Sequence, residues 1–423
     1  MRTGITHALR LPAFVVLAAL AAAAAALETT SPEAAGLSAE RLERLTEVLD
    51  GYVEDGRLAG GVALVARRGQ IVYLNAFGDR DRESNAPMTP ETMFRIASQT
   101  KAIVSTAVMM LQEEGALLIG DPVGDYLPEF RETTVALPRD DGGYDVVRAR
   151  RPITIRDLLT HTSGFGYGTG VAADRWQSAG LQGWYFADRD EPIAETVKRI
   201  AALPADAQPG ERWVYGYSTD ILGALVERVS GQPLDRFLAE RIFEPLGMHD
   251  THFYVPEAKR DRLATVYAAA EGGTIVRAEG AGPNGQGDYV DGPRKSFSGG
   301  AGLVSTATDY ARFLQMLLNG GELDGVRLLG RKTVELMTID HLGEVTFRPG
   351  EGFGLGFSIV EDVGRRGTPG SVGEFGWGGA YHSTYWVDPA EELVVVYLTQ
   401  LLPAGDIDDH QKLRALVYQA IVD

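Results

Sequence analysis

The stretch Phe94-Arg95-Ile96-Ala97-Ser98-Gln99-Thr100-Lys101 decides how this chain is read, because it ends in a serine–lysine pair and runs straight into an apolar-periodic segment. Over residues 98–114, Val104, Ala107, Val108 and Leu111 share one helical face, and Gly115 supplies a stop. Positions i and i+3 of a helix lie one above the other, so the pair sets an amine beside a hydroxyl. A serine needs a base to become a nucleophile, and a partly desolvated lysine can supply a neutral amine. None of the other lysines (Lys198, Lys259, Lys295, Lys332, Lys412) has a serine three positions before it. Taken alone, the tetrapeptide reads first as a helix N-terminus carrying a solvent-facing lysine.

Around this helix the chain alternates strands and helices. Residues 38–53 have helical periodicity through Leu42, Leu45, Val48 and Leu49, with Ser38 as N-cap. Residues 61–67 and 70–77 read as a hairpin about Arg68-Gly69. Helical pieces at 155–160 and 221–229 lie among Gly, Pro and Asp clusters, and 307–318 reads as a further helix. A strand is expected over 354–360, then a hairpin of 385–387 with 393–399, then an amphipathic helix over 408–422. Strands near both ends with helices between them fit a sheet shared by the two termini, interrupted by a helical insertion.

The N-terminus reads as a secretory signal peptide over residues 1–26: Arg2 and Arg10, an apolar run, then alanines before Leu27-Glu28-Thr29-Thr30. This places the mature protein in the periplasm or outside the cell, with no stable membrane span after cleavage. The absence of cysteine excludes disulfides, a thiolate nucleophile and cysteine metal sites. The net charge of −18, which becomes −20 once Arg2 and Arg10 leave, argues against a nucleic-acid surface.

Three further stretches change the weight of the serine–lysine pair. They are Thr154-Ile155-Arg156-Asp157-Leu158-Leu159-Thr160-His161-Thr162-Ser163-Gly164-Phe165, Tyr215-Gly216-Tyr217-Ser218-Thr219-Asp220-Ile221-Leu222-Gly223, and Phe375-Gly376-Trp377-Gly378-Gly379-Ala380. In order and spacing the chain resembles the serine β-lactamase and penicillin-binding-protein superfamily, closest to the class C-like family VIII carboxylesterases. The resemblance implies an α/β fold of α+β type: an antiparallel sheet flanked by helices, beside a mainly helical domain, with the active site between them. It maps the α/β part to about 36–100 and 300–423 and the helical part to about 101–299, within one domain over 27–423.

By that resemblance Ser98 is the acyl-enzyme nucleophile, and Lys101 and Tyr215 serve as base and acid, with the true base left open. The backbone amides of Ser98 and Ala380 form the oxyanion hole. Trp377, Gly378 and Gly379 border the substrate, and Trp377 shapes the acyl pocket. Tyr217 competes with Tyr215 for the tyrosine role, but the distance to Leu222-Gly223 favours Tyr215. The chain also departs from its lactamase relatives. Trp377-Gly378-Gly379 replaces a Lys- or His-led Thr-Gly motif that clamps a carboxylate, and Tyr217 stands where many members place an amide-binding asparagine. A site lacking the polar partners of a substrate selects weakly for it. The expectation is therefore a serine hydrolase of short-chain esters, with D-amino-acid peptidase or weak β-lactamase activity as the alternative and a non-catalytic binding protein behind both. No cofactor and no metal are expected, with His249 and His252 read as structural and His382 as a candidate for lining the cleft.

Overall fold

The computed structural model describes residues 27–280 and 282–423, so the signal peptide read over 1–26 lies outside the described residues. An eight-stranded antiparallel sheet forms the centre. Its strands are β1 (Gly60–Arg67), β2 (Gln70–Asp81), β3 (Ala86–Pro87), β4 (Glu351–Phe353), β5 (Ser358–Val360), β6 (Phe375–Gly379), β7 (Ser383–Asp388) and β8 (Leu393–Leu398). The spatial order is β4-β5-β6-β7-β8-β1-β2-β3, so β8 and β1 join the two ends of the chain at the middle of the sheet. The strand expected over 354–360 is confined to Ser358–Val360, because Gly354-Leu355-Gly356-Phe357 turns the chain back from β4.

Both faces of the central strands are buried, which explains why they read as near-continuous apolar runs. Side chains alternate: Val62, Leu64, Val394 and Val396 enter the larger core, while Ala63, Val65, Val395 and Tyr397 enter a second one. That second core is closed by α1 (Ala39–Glu54), through Leu42, Leu45 and Leu49, and by the C-terminal helix Asp409–Tyr418, through Leu413 and Val417. Ser38 caps α1 by accepting the Arg41 amide. On the opposite face lie α2 (Thr100–Glu113) and the helical region that follows it. Every residue of α2 from Thr100 to Leu111 is buried, so it is the central post of the larger core.

Two local features place the site. The first is the helix α3 (Ile155–Leu159), opened by a capping box between Thr154 and Asp157 and reinforced by Arg151 on the Asp157 carboxylate at 2.6 Å. Burial alone would raise the Asp157 pKa, but the Arg151 and Thr154 hydrogen bonds outweigh it and hold the carboxyl below its ordinary range. The second is the approach of β6 to the turn before α2. A Cβ on Gly379 would fall 2.5 Å from the Ile96 carbonyl and 2.7 Å from Ser383 Oγ, so only glycine lets the strand pass this close.

Gly379→Ala is expected to cost about 1–3 kcal/mol of stability through overpacking, read as a lower urea midpoint at unchanged slope. Asp157→Asn is expected to cost about 1–3 kcal/mol at pH 7 by removing a charged acceptor. Because the Asp157 pKa is depressed in the folded state, that contribution is full above the unfolded carboxyl pKa and is lost as pH falls through the folded one. Urea titrations of both proteins between pH 7 and pH 3 should therefore converge toward the acid end.

Candidate active site

The Ser98–Lys101 pair forms as the spacing predicts, but Ser98 itself sits just before the helix. It lies in a 3-10 turn over Ala97–Gln99 that leads into α2. Ala97, fully buried, takes φ +42°, a left-handed conformation that costs a non-glycine residue about 1–3 kcal/mol. The strained turn leaves Ser98 half-buried and facing a cleft of about 540 Å³, while Lys101 is 2% exposed. Lys101 Nζ meets three polar partners: Ser98 Oγ at 3.3 Å, the Tyr167 hydroxyl at 3.1 Å and the Gly300 carbonyl at 2.7 Å. An ammonium donates to all three, whereas a neutral amine donates to two and accepts the serine proton.

Each partner is fixed by its own support. Gly300 is held by Asp220, whose Oδ1 accepts from Ser298 Oγ at 2.6 Å and from the Gly300 amide at 3.1 Å. Burial pushes the Asp220 carboxyl up in pKa, opposed by the Ser298 hydroxyl and the Lys101 charge. Asp220 lies in α4 (Ser218–Ser230), on the segment that also carries Tyr215 and Tyr217. Tyr167 comes from the loop after α3. Gly216 lets the Tyr215 segment lie against that loop, because a Cβ there would sit 2.3 Å from the Phe165 carbonyl. Burial, with Tyr215 and Asp220 nearby, pushes the Tyr167 phenol well above its usual pKa, so it stays protonated.

The structure brings Tyr215 to the site in an unexpected orientation. Its ring face lies 4.6 Å from Lys101 Nζ, and its hydroxyl accepts from Trp377 Nε1 at 2.9 Å. The phenol that touches Lys101 is therefore that of Tyr167, which the sequence reading missed. Its one signal was position: two residues beyond the Thr154–Phe165 phrase, between Gly166 and Gly168. Asp220 was also passed over, although it lies inside the second motif.

Tyr217, expected at the substrate, is displaced from the cleft. It is fully buried, stacked between Trp176 and Phe186, and its hydroxyl donates to the Gly183 carbonyl at 2.6 Å. The turn into α4 points it away from Lys101, where it packs edge-on behind Tyr167. Trp377, Gly378, Gly379 and Ala380 all line the cleft with Ser98. Around Trp377 gathers an aromatic wall of Trp213, Phe347 and Phe353. His161 lies beneath it, 4.8 Å from the Tyr215 ring, and burial together with the Lys101 charge keeps it neutral. It packs where a base would have no exit for its proton.

His382 also lines the cleft, with Nε2 at 2.6 Å from Asp409 Oδ1 and its ring stacked on His410 at 4.0 Å. These three residues are close enough to suggest a metal group. Nearly parallel stacked imidazoles cannot aim their in-plane lone pairs at one ion, so the trio reads as a tie between the β6–β7 turn and the C-terminal helix. His252 meets Lys259 at 3.2 Å, and the His249 carbonyl accepts from the same lysine, which fits the structural reading of that pair. No helix among the described residues is long and apolar enough to cross a membrane.

Comparisons with known proteins identify the family and the fold. A family model described as Beta-lactamase matches residues 45–419. Esterase EstB of Burkholderia gladioli is 37% identical over 402 residues, covering 90% of this chain and 95% of that protein. Protein Rv1367c of Mycobacterium tuberculosis (strain ATCC 25618 / H37Rv) is 38% identical over 368 residues, covering 84% of this chain and 88% of its own. Among solved structures, EstCE1, a hydrolase with promiscuous acyltransferase activity, is similar with a TM-score of 0.76 and 30% identity over 89% of this chain and 98% of that one. With a family model matched over residues 45–419 and a relative 37% identical over 90% of this chain, the chain belongs to the beta-lactamase family of serine hydrolases.

Proposed function

We propose that this chain is a family VIII-type carboxylesterase that cleaves short-chain acyl esters through an acyl-enzyme on Ser98. The observation that carries the reading is the 3.3 Å contact between Ser98 Oγ and Lys101 Nζ at the floor of an open, aromatic-walled cleft. EstB, an esterase by name, supports the reaction class. Lys101 takes the serine proton as Oγ attacks the ester carbonyl. The Ser98 and Ala380 amides receive the developing oxyanion. Tyr167, whose hydroxyl accepts from Lys101 at 3.1 Å, relays the proton to the departing alcohol. Tyr215, fixed by Trp377, supplies the second hydroxyl of the site and shields the lysine with its ring. Water, activated by the same relay in reverse, then releases the acid.

The third motif favours esters over β-lactams and D-amino-acid peptides. Trp377 contributes one indole N–H, already used on Tyr215, where a cation and a hydroxyl would otherwise hold a carboxylate beside the nucleophile. The leader read over residues 1–26 makes the periplasm or the exterior the proposed location. Acyl transfer to an alcohol in place of water is a second outcome of the same acyl-enzyme, and EstCE1 is a hydrolase with promiscuous acyltransferase activity.

Steady-state kinetics on p-nitrophenyl acetate and butyrate test the mechanism. Ser98→Ala is expected to abolish turnover, and equal activity in both proteins would remove Ser98 as nucleophile. Tyr167→Phe is expected to lower kcat about 100-fold, within the range of general acid–base catalysis, with KM little changed. A wild type inert to esters but active on nitrocefin or D-alanyl amides would replace this reading with the peptidase or lactamase alternative.

A further inference from the structure

The cleft that Ser98 lines carries more positive charge than its own carboxylates neutralise. Arg348, Arg366 and Arg414 line it together with only two acids, Glu351 and Glu374. Glu374 is held by Arg414 at 2.8 Å and Arg366 at 2.9 Å, and Glu351 is held by Arg366 at 2.9 Å. The inner pairs are thus satisfied among themselves. Arg348, at the rim, is left over: its nearest carboxylate oxygen, on Glu351, is 3.6 Å away, and the arginine side chain is 54% exposed. Among the described residues it donates no hydrogen bond.

Its guanidinium is nonetheless held in place. It lies 4.9 Å from the ring centroids of both Phe347 and Trp377. Such stacking orients a guanidinium while leaving its in-plane N–H groups free. Trp377 in turn donates to Tyr215, whose ring covers Lys101. The free donors therefore stand one indole and one phenol ring away from Lys101, in the cleft that Ser98 also lines.

We propose that Arg348 is an anion subsite that selects esters bearing a carboxylate on their acyl or alcohol part. This rests on the esterase reading of the same cleft. A guanidinium matches a carboxylate with two parallel hydrogen bonds. A monoanion also suits a single excess positive charge backed by Glu351 and Glu374 better than a dianion does. The subsite sits at the rim, apart from the strand position where the lactamase relatives place their clamp.

The test compares mono-p-nitrophenyl esters of succinate, glutarate and adipate with p-nitrophenyl esters of uncharged acids of equal length. A second arm compares 4-acetoxybenzoate with phenyl acetate, which places the charge on the alcohol part. The readout is the ratio of kcat/KM for the charged ester to that for its neutral match, in the wild type, Arg348→Gln and Arg348→Lys. Intrinsic ester reactivity cancels between proteins. In at least one arm the ratio is expected to fall about tenfold in Arg348→Gln, as for loss of one charge-assisted hydrogen bond, with partial rescue in Arg348→Lys. The wild-type ratio is also expected to decline between 0.02 M and 1 M salt, which keeps the proposal testable if Arg348→Gln fails to fold. A wild type active on neutral esters with the same ratio as Arg348→Gln in both arms, or with no salt dependence, overturns the subsite alone. A wild type inactive on every ester, charged and neutral alike, overturns the esterase reading and the subsite with it.

Discussion

The structure is organised around one electrostatic problem, a primary amine buried at the head of a helix that is itself buried from Thr100 to Leu111. Removing an ammonium from water costs several kcal/mol even after relaxation, and the cost is met only where each donor finds an acceptor. Here the acceptors come from three separate parts of the chain: the strained Ala97–Gln99 turn, the loop carrying Tyr167, and the Gly299-Gly300 segment. None is a carboxylate. Asp220 fixes Gly300 by accepting from its amide, and forms no ion pair with the lysine. Lys101 is thus held tightly while staying free of a direct counter-ion that would lock its proton.

Trp377 is the second organising element, and it works by geometry more than by chemistry. Its indole N–H fixes the Tyr215 hydroxyl, one part of its ring completes the aromatic wall, and its outer side carries the Arg348 guanidinium. One residue of β6 therefore links the Tyr215–Lys101 floor of the cleft to the rim. A lysine or histidine there would place positive charge next to Ser98; the tryptophan instead leaves that charge at the cleft mouth. The glycines that follow keep β6 close to the serine turn, so Ser98 and Ala380 share one cleft.

Much of the fold was legible in the sequence for simple reasons. The 307–318 helix and the Arg68-Gly69 hairpin carry clean periodicity and turn chemistry, and both appear with nearly the expected bounds. The 354–360 strand misled because Gly354 and Gly356 sit inside an apolar run, and the turn they make is set by pairing with neighbouring strands. At the site, short-range spacing recovered Ser98 with Lys101, and motif order recovered Trp377 through Ala380. Which face Tyr215 turns to the lysine, and the burial of Tyr217, depend on the angle at which α4 meets the loop after α3. That angle is fixed by contacts between residues some fifty positions apart, such as Ser163 with Ser218 at 2.8 Å. Tyr167 escaped notice for the same reason, since its role exists only once three distant segments converge.

The account depends most directly on Ser98 being the single activated hydroxyl in the cleft. Labelling the intact protein with a fluorophosphonate, followed by peptide mass spectrometry, measures this without assuming any substrate. The structure predicts one adduct per chain, on the peptide containing Ser98, and none in Ser98→Ala. An adduct on Ser383, the other serine hydroxyl beside Gly379, or labelling that persists in Ser98→Ala, would contradict it.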